Sequence, residues 1–255
     1  MKRALTTVLI VAAVAYLGVC AAMFVCQRSL IYHPQPRVVV AAESTLKLPV
    51  EGAELVVTVR PKTGPKAIVY FGGNAEDVSF NLDSFSKAFP EHALFLLHYR
   101  GYGGSTGSPT EAANHADAAK LFRTVRAQHP EVAVIGRSLG TGVAVRLASE
   151  QPVARLILVT PYDSIVEVGA THYPWLPVRW LARERYDSAL RAPRVTAPTT
   201  IIAAEHDDEI PRASTDRLLG RFNPGVAAMT VIPGVGHNDL GRRSEYRTTM
   251  QMALR

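Results

Sequence analysis

Six apolar runs constrain this chain more than any other feature in it. Beyond Lys66, the runs Ala67–Phe71, Ala93–Tyr99, Val132–Ile135, Leu156–Thr160, Thr200–Ala204 and Met229–Ile232 are each bounded by turn residues and separated by stretches of helical pattern. Because they lack strict polar–apolar alternation, they suit strands covered on both faces. The helical stretches are Asp77–Ala88, Glu111–Ala127, Leu139–Ser149 and Ser214–Arg221. One start is well marked: Ser108-Pro109-Thr110-Glu111 offers an N-cap, a first-turn proline and the glutamate of a capping box. Strand–helix alternation of this kind predicts an α/β fold with a mostly parallel central sheet and helices on both faces. Runs near Val38–Val40 and Leu55–Val59 are expected to add antiparallel strands at one edge. Residues Tyr162 to Arg194, rich in Pro, Trp and Tyr, fit no strand and read as a short cap over the sheet, at about 162–194.

Composition narrows the field further. With 47% hydrophobic and 20% charged residues in 255, the chain is neither disordered nor a coiled coil. The net charge of +6 comes from 22 Arg and six Lys that are scattered rather than gathered into a stripe interleaved with aromatics, so nucleic acid is not an expected partner. Both cysteines, Cys20 and Cys26, lie in the N-terminal apolar segment. The rest of the chain therefore has no thiol for a disulfide, a metal or covalent catalysis.

That N-terminal segment carries no charge from Ala4 to Val25, after Lys2 and Arg3. Its 22 residues would span about 33 Å as a helix, close to a bilayer core. Residues 1–27 read as a transmembrane anchor, with a cleaved signal peptide ending near Cys20, Ala21 and Ala22 as the alternative; signal cores usually run about 7 to 15 residues. The leading basic pair favours the remainder on the exported side of the membrane, and cleavage would make it secreted.

The chemistry starts where Val132–Ile135 runs into Gly136-Arg137-Ser138-Leu139-Gly140. In a G-x-S-x-G between strand and helix, a sharp turn lifts the serine to the carboxyl edge of the sheet, and the glycines let backbone approach closely. The amide of Leu139 then opens a helix, where negative charge is stabilised. A serine alcohol needs a base, and the base needs an acid to orient it. Thr200–Ala204 is followed by Glu205-His206-Asp207-Asp208-Glu209, and Met229–Ile232 by Pro233-Gly234-Val235-Gly236-His237, so an acid and a histidine are expected on the same sheet edge as Ser138. The other seven histidines lack metal-ligand spacing, and Gly101-Tyr102-Gly103-Gly104-Ser105-Thr106-Gly107 follows a strand without opening a helix. No metal site and no dinucleotide site are read there. Asp163, which follows Pro161-Tyr162 after a strand, reads as a turn cap, with a place lining the site as the alternative.

With these residues in place, the chain resembles the α/β-hydrolase superfamily, and within it the small membrane-anchored serine hydrolases related to serine aminopeptidase-like enzymes and protein depalmitoylases. The resemblance runs from about Gln27 to Arg255 through Gln27-Arg28-Ser29-Leu30-Ile31-Tyr32, Phe71-Gly72-Gly73-Asn74-Ala75, Tyr99-Arg100-Gly101-Tyr102-Gly103, the serine pentapeptide and Gly236-His237. It implies an α/β-hydrolase domain over 28–255, with Ser138 as nucleophile, His237 as general base and acid, and Asp207 as the orienting acid. Asp207 fits the family's Asp-x-x-Ile-Pro where Asp208 does not. The resemblance also implies an oxyanion hole from the backbone amides of Asn74 and Leu139. It departs at Gly72, where the family often has a histidine that braces this loop.

The expected activity is cleavage of a carboxylic ester, thioester or related acyl bond through an acyl-serine, without metal or organic cofactor, on a small-molecule or lipid-like acyl substrate. A serine peptidase and a hydrolase-fold binding or scaffold protein without turnover are the alternatives; the second is prompted by Gly72. The cap, with Arg179, Arg183 and Arg185 among its aromatics, suggests an apolar acyl group and an anionic or lipid headgroup.

Overall fold

The computed structural model describes residues 1–38 and 44–255. Its eight strands are β1 (Thr45–Val50), β2 (Ala53–Arg60), β3 (Lys66–Phe71), β4 (Ala93–Leu97), β5 (Glu131–Arg137), β6 (Arg155–Val159), β7 (Thr199–Ala204) and β8 (Ala227–Ile232). They form one sheet in the order β1-β2-β4-β3-β5-β6-β7-β8. The pairs β1–β2 and β2–β4 are antiparallel; every later pair is parallel. All six apolar runs are therefore strands, within a residue or two at each end. Of the two expected edge runs, Leu55–Val59 falls inside β2, while most of Val38–Val40 lies outside the described residues.

The reason these runs are apolar throughout is visible in β3 and its neighbours. Val69 and Phe71 pack into a core with Val134, Leu158 and Ile201, whereas Ile68 and Tyr70 face a second core with Ile135, Ile157 and Ile202. Successive side chains point to opposite faces, and both faces are covered. The covering helices are α2 (Asn81–Ala88), α3 (Glu111–Arg126), α4 (Leu139–Ala148), α8 (Arg212–Leu219) and α9 (Ser244–Ala253), with the cap helices α5 (Ile165–His172), α6 (Val178–Leu181) and α7 (Ser188–Arg191) between β6 and β7. Phe85 of α2 and Met250 of α9 enter the second core, while Leu121 and Phe122 of α3 and Leu218 of α8 enter the first.

Two sequence expectations need correction. The cap of α3 is Thr110, whose hydroxyl accepts from the amide of Ala113 at 3.1 Å, and not Ser108. Glu111 does not close a capping box; its carboxylate accepts the amides of Arg185 and Tyr186 at 2.6 and 3.0 Å and so ties α3 to the cap. Further, the N-terminal helix α1 runs from Lys2 to Ile31, four residues beyond the expected boundary, and its last turn leads directly into the domain. The amide of His33 donates to the carbonyl of Asn74 at 3.0 Å.

Candidate active site

Ser138 sits between the end of β5 and the start of α4 with φ 49° and ψ −118°. A non-glycine residue at positive φ is strained by about 1–3 kcal/mol, and it persists only where its surroundings overdetermine it. They do so here. The amide of Ser138 donates to the carbonyl of Val159 at 2.9 Å, and its carbonyl accepts from the amide and hydroxyl of Thr141 at 2.9 and 2.7 Å. The flanking glycines are required by packing: a Cβ on Gly136 would lie 2.5 Å from the carbonyl oxygen of Gly140, and one on Gly140 only 2.1 Å from that of Phe71.

The loops after β7 and β8 are stitched together, since the amides of Glu205 and His206 donate to the carbonyls of Ile232 and Val235 at 3.1 and 3.0 Å. This brings His237 over the turn. Its Nε2 lies 2.9 Å from Ser138 Oγ, and its Nδ1 lies 2.9 Å from each carboxylate oxygen of Asp207. Ionised, the carboxylate only accepts, so Nδ1 carries the proton and the lone pair of Nε2 faces the hydroxyl. Asp207 is held in turn by the amides of Glu209 and Ile210, which donate to its Oδ1 at 3.1 and 2.7 Å. The imidazole is buried, 3% exposed, whereas neighbouring Asp208 is exposed and has no place in this chain of hydrogen bonds.

The other two expected residues share cavities with Ser138. Leu139 is the first residue of α4, and Asn74 follows β3 in the loop that faces the same cavities as Ser138. This loop is anchored through its carbonyls: Tyr99 Oη donates to Gly72 at 3.0 Å and Tyr102 Oη to Asn74 at 2.6 Å. A Cβ on Gly72 would come within 2.5 Å of a Val78 methyl, so a larger side chain there would have to displace Val78.

Bracing comes instead from Glu76, a residue the sequence did not single out. Its Oε2 accepts the amide of Gly73 at 2.7 Å and the Arg137 guanidinium at 3.1 Å, while its Oε1 accepts from Tyr70 Oη and the side-chain amide of Asn81 at 2.7 and 2.6 Å. Burial works against the charge of Arg137, but the adjacent carboxylate of Glu76 holds its pKa above the usual arginine range. The only signal in the sequence was an acid two residues beyond Asn74 with an arginine in the serine pentapeptide.

Ser138 stands where two cavities meet. One, of about 640 Å³, has a mixed lining, with polar groups such as Arg137, Glu76, Asn238 and Gln35 beside apolar ones such as Phe80 and Leu240. The other, of about 460 Å³, is apolar and lies under the cap, against Ile165, Val168, Leu176 and Leu181. Glu209 borders both, with its Oε2 3.7 Å from His237 Nε2. Asp163 does not line either cavity. It is buried at the base of the cap, accepting from the Ser164 amide at 2.9 Å, Ser214 Oγ at 2.5 Å and Arg217 Nε at 2.5 Å. Among the described residues no three His, Cys, Asp or Glu side chains are grouped to hold a metal ion.

Comparison with known proteins agrees with this architecture. Residues 66–184 match the alpha/beta hydrolase fold family. An uncharacterized protein of Mycobacterium tuberculosis is 39% identical over 93% of this chain and 89% of its own length. The alpha/beta hydrolase domain-containing protein aho-3 of Caenorhabditis elegans is 30% identical over 70% of this chain, and the match spans 54% of that protein. The human alpha/beta hydrolase domain-containing protein 17B is 28% identical over 70% of this chain and 62% of its own length. Among solved structures, the Pyrococcus furiosus esterase Pf2001 superposes with a TM-score of 0.68 over 88% of this chain and 96% of that one, at 16% identity, which speaks to the fold alone.

Proposed function

This chain belongs to the α/β-hydrolase superfamily, and from that premise we propose that it is a membrane-anchored serine hydrolase that cleaves long-chain acyl esters or thioesters through an acyl-Ser138 intermediate. The observation that carries the reading is the continuous hydrogen-bonded line from Ser138 Oγ through His237 to Asp207, at 2.9 Å for each link.

In the first half-reaction, Ser138 Oγ attacks the acyl carbonyl carbon as His237 Nε2 takes its proton. Asp207 stabilises the imidazolium that results. The negative charge that develops on the carbonyl oxygen is met by the backbone amides of Leu139 and Asn74, a type of contribution that is worth about 3–4 kcal/mol per donor in other enzymes. The tetrahedral species collapses: the bond to the leaving oxygen or sulfur breaks, and His237 gives that atom its proton. In the second half, His237 deprotonates a water that attacks the acyl carbon, and collapse returns the proton to Ser138 and releases the carboxylic acid.

The two cavities support an assignment of the two substrate halves. An acyl chain suits the apolar space under the cap, and a polar leaving group suits the space beside Arg137, Glu76 and Asn238. The scaffold alternative loses its motive, since Glu76 braces the loop at the position where Gly72 replaces a histidine. Helix α1, long and apolar enough to cross a bilayer, supports an anchor, and the Lys2–Arg3 pair before it favours the domain on the exported side.

A fluorophosphonate probe tests the chemistry directly. It is expected to label the wild-type chain and leave Ser138→Ala unlabelled, while equal labelling of both would refute the reading.

A further inference from the structure

We infer that the apolar cavity is loaded sideways from the bilayer leaflet next to the domain, with the end of α1 serving as one of its walls. This rests on the acyl-hydrolase reading above and adds where the acyl chain comes from. The cavity is not closed by the cap alone: Met23, Leu30 and Ile31 of α1 line it opposite Ile165, Leu176 and Leu181 of the cap. The helix that would hold the protein in the membrane is thus also part of the acyl site.

The depth of the cap along α1 points the same way. Tyr16 Oη donates to the carbonyl of Trp175 at 2.9 Å. Tyr16 lies eleven residues before Gln27, the last residue of the uncharged stretch, which is about 16 Å along the helix axis. Half of a hydrocarbon core is about 15 Å thick. A helix that crosses the bilayer therefore carries the tip of the cap into the leaflet. The tip is built for that solvent: Tyr173, Trp175 and Trp180 are 45%, 56% and 90% exposed, a concentration of apolar aromatic surface that suits a bilayer better than water. The contacts change character two to three turns further along α1. Gln27 Oε1 accepts the amide of Arg183, the Arg183 guanidinium lies 4.6 Å from the Phe24 ring, and Arg28 pairs with Glu184 at 2.7 Å. These cations sit where α1 leaves the hydrocarbon, at the level of the lipid headgroups.

The mouth of the cavity near Met23 consequently lies at the edge of the hydrocarbon. An acyl chain can pass from the leaflet to Ser138 without exposing its methylenes to water. The substrate class is a long-chain acyl ester or thioester whose chain already resides in that leaflet, with its polar leaving group directed to the larger cavity.

The chain contains two tryptophans, and both are in the cap tip, so intrinsic fluorescence reports its depth. The full-length protein is reconstituted in phosphatidylcholine vesicles with or without bromine on the acyl chains. Strong quenching by the brominated lipid and weak quenching by aqueous iodide are expected, for the wild type and for Trp175→Phe and Trp180→Phe, which isolate one reporter each. Quenching by iodide with no effect of bromine would overturn the inference. A second arm fills the α1 wall with Leu30→Trp and measures p-nitrophenyl palmitate against p-nitrophenyl butyrate. The palmitate-to-butyrate rate ratio is expected to fall at least tenfold, and an unchanged ratio overturns the wall assignment. Should the wild type hydrolyse neither ester while the lipid quenching holds, the acyl-hydrolase reading fails and takes the loading role with it, whereas the membrane depth of the cap stands.

Discussion

The carboxylate of Glu76 reaches back to the amide of Gly73, 2.7 Å away, and fixes the loop that carries Asn74. Four donors from four different places in the chain meet on this one side chain, which is mostly buried. A glutamine at this position would present an amide group to donors that need an acceptor, so the loop would have to shift. Misplacing one oxyanion donor weakens an interaction made only in the transition state. Glu76→Gln is therefore expected to lower kcat between about tenfold and a hundredfold on a short p-nitrophenyl ester, with KM changed much less. A kcat equal to wild type would remove Glu76 from any positioning role.

Asp207 and Asp208 differ by one position and should differ by orders of magnitude in consequence. Only Asp207 touches the imidazole, and it is itself locked by two backbone amides. Asp207→Asn removes the acceptor that holds the Nδ1 proton, and the favoured tautomer then presents the wrong ring nitrogen to Ser138. Its kcat should fall by about three to four orders of magnitude, by analogy with triads elsewhere. Asp208 lines the apolar cavity but makes no contact with the imidazole, so Asp208→Asn should stay within about tenfold of wild type. Steady-state ester hydrolysis by the two variants side by side decides it, and a reversal of their order would assign the acid to Asp208.

Legibility in the sequence followed the range of the interactions involved. The strands could be read because burial on both faces leaves a continuous apolar run, as Ile68-Val69-Tyr70-Phe71 shows. The expected positions of Ser138, Asp207 and His237 were legible because each follows a strand directly, and a parallel sheet brings those ends to one edge. Helix α9 was not, since Ser244-Glu245-Tyr246-Arg247-Thr248-Thr249 has weak helix formers and gains its place by packing Met250 into the core. The cap helices α6 and α7, of four residues each, are too short to show a period. Glu76 escaped because its partners are a backbone amide and an arginine 61 positions away, and Leu30 because the cap residues opposite it are more than 130 positions further along. The capping error at Ser108 arose from two competing hydroxyls, and Thr110 won because its side chain reaches Ala113.

Glu184 joins α1, α3 and the cap in one buried contact. Its carboxylate, 3% exposed, accepts from Arg28 Nε at 2.7 Å, from Tyr32 Oη at 3.0 Å and from the amide of Glu111. Removing one side of a buried pair leaves donors without partners and typically costs about 3–5 kcal/mol. Arg28 is half exposed and can turn to solvent, which reduces the expectation for Glu184→Leu to about 2 kcal/mol. For a domain of this size that lowers Tm by roughly 4–8 °C, which a thermal melt in detergent would detect. Faster proteolysis between α5 and α7 should accompany it, and an unchanged melt together with an unchanged cleavage rate would show that the contact adds no stability.

His98 makes the fold sensitive to acid through a group outside the Ser138–His237–Asp207 line. The ring is buried with its Nε2 2.9 Å from Thr58 Oγ1, and a Cβ on Gly103 would lie 2.0 Å from it, so the site has no room for a hydration shell. Burial pushes its pKa down to about 4, against an unfolded value of 6.5, with Asp77 opposing and Arg37 adding to the fall. Below pH 6.5 the unfolded chain binds a proton that the folded chain refuses. The contribution to stability is thus complete above that pH and is lost as pH falls towards 4, by about 3 kcal/mol in all and about 2 kcal/mol at pH 5. His98→Gln keeps an acceptor for Thr58 and cannot titrate, so it isolates this one group from every carboxylate that also responds to acid. Urea denaturation at pH 7.5 and pH 5 should show the wild type losing about 2 kcal/mol more than the variant between the two conditions. Equal losses in both proteins would mean that His98 takes up its proton in the folded state as readily as in the unfolded one.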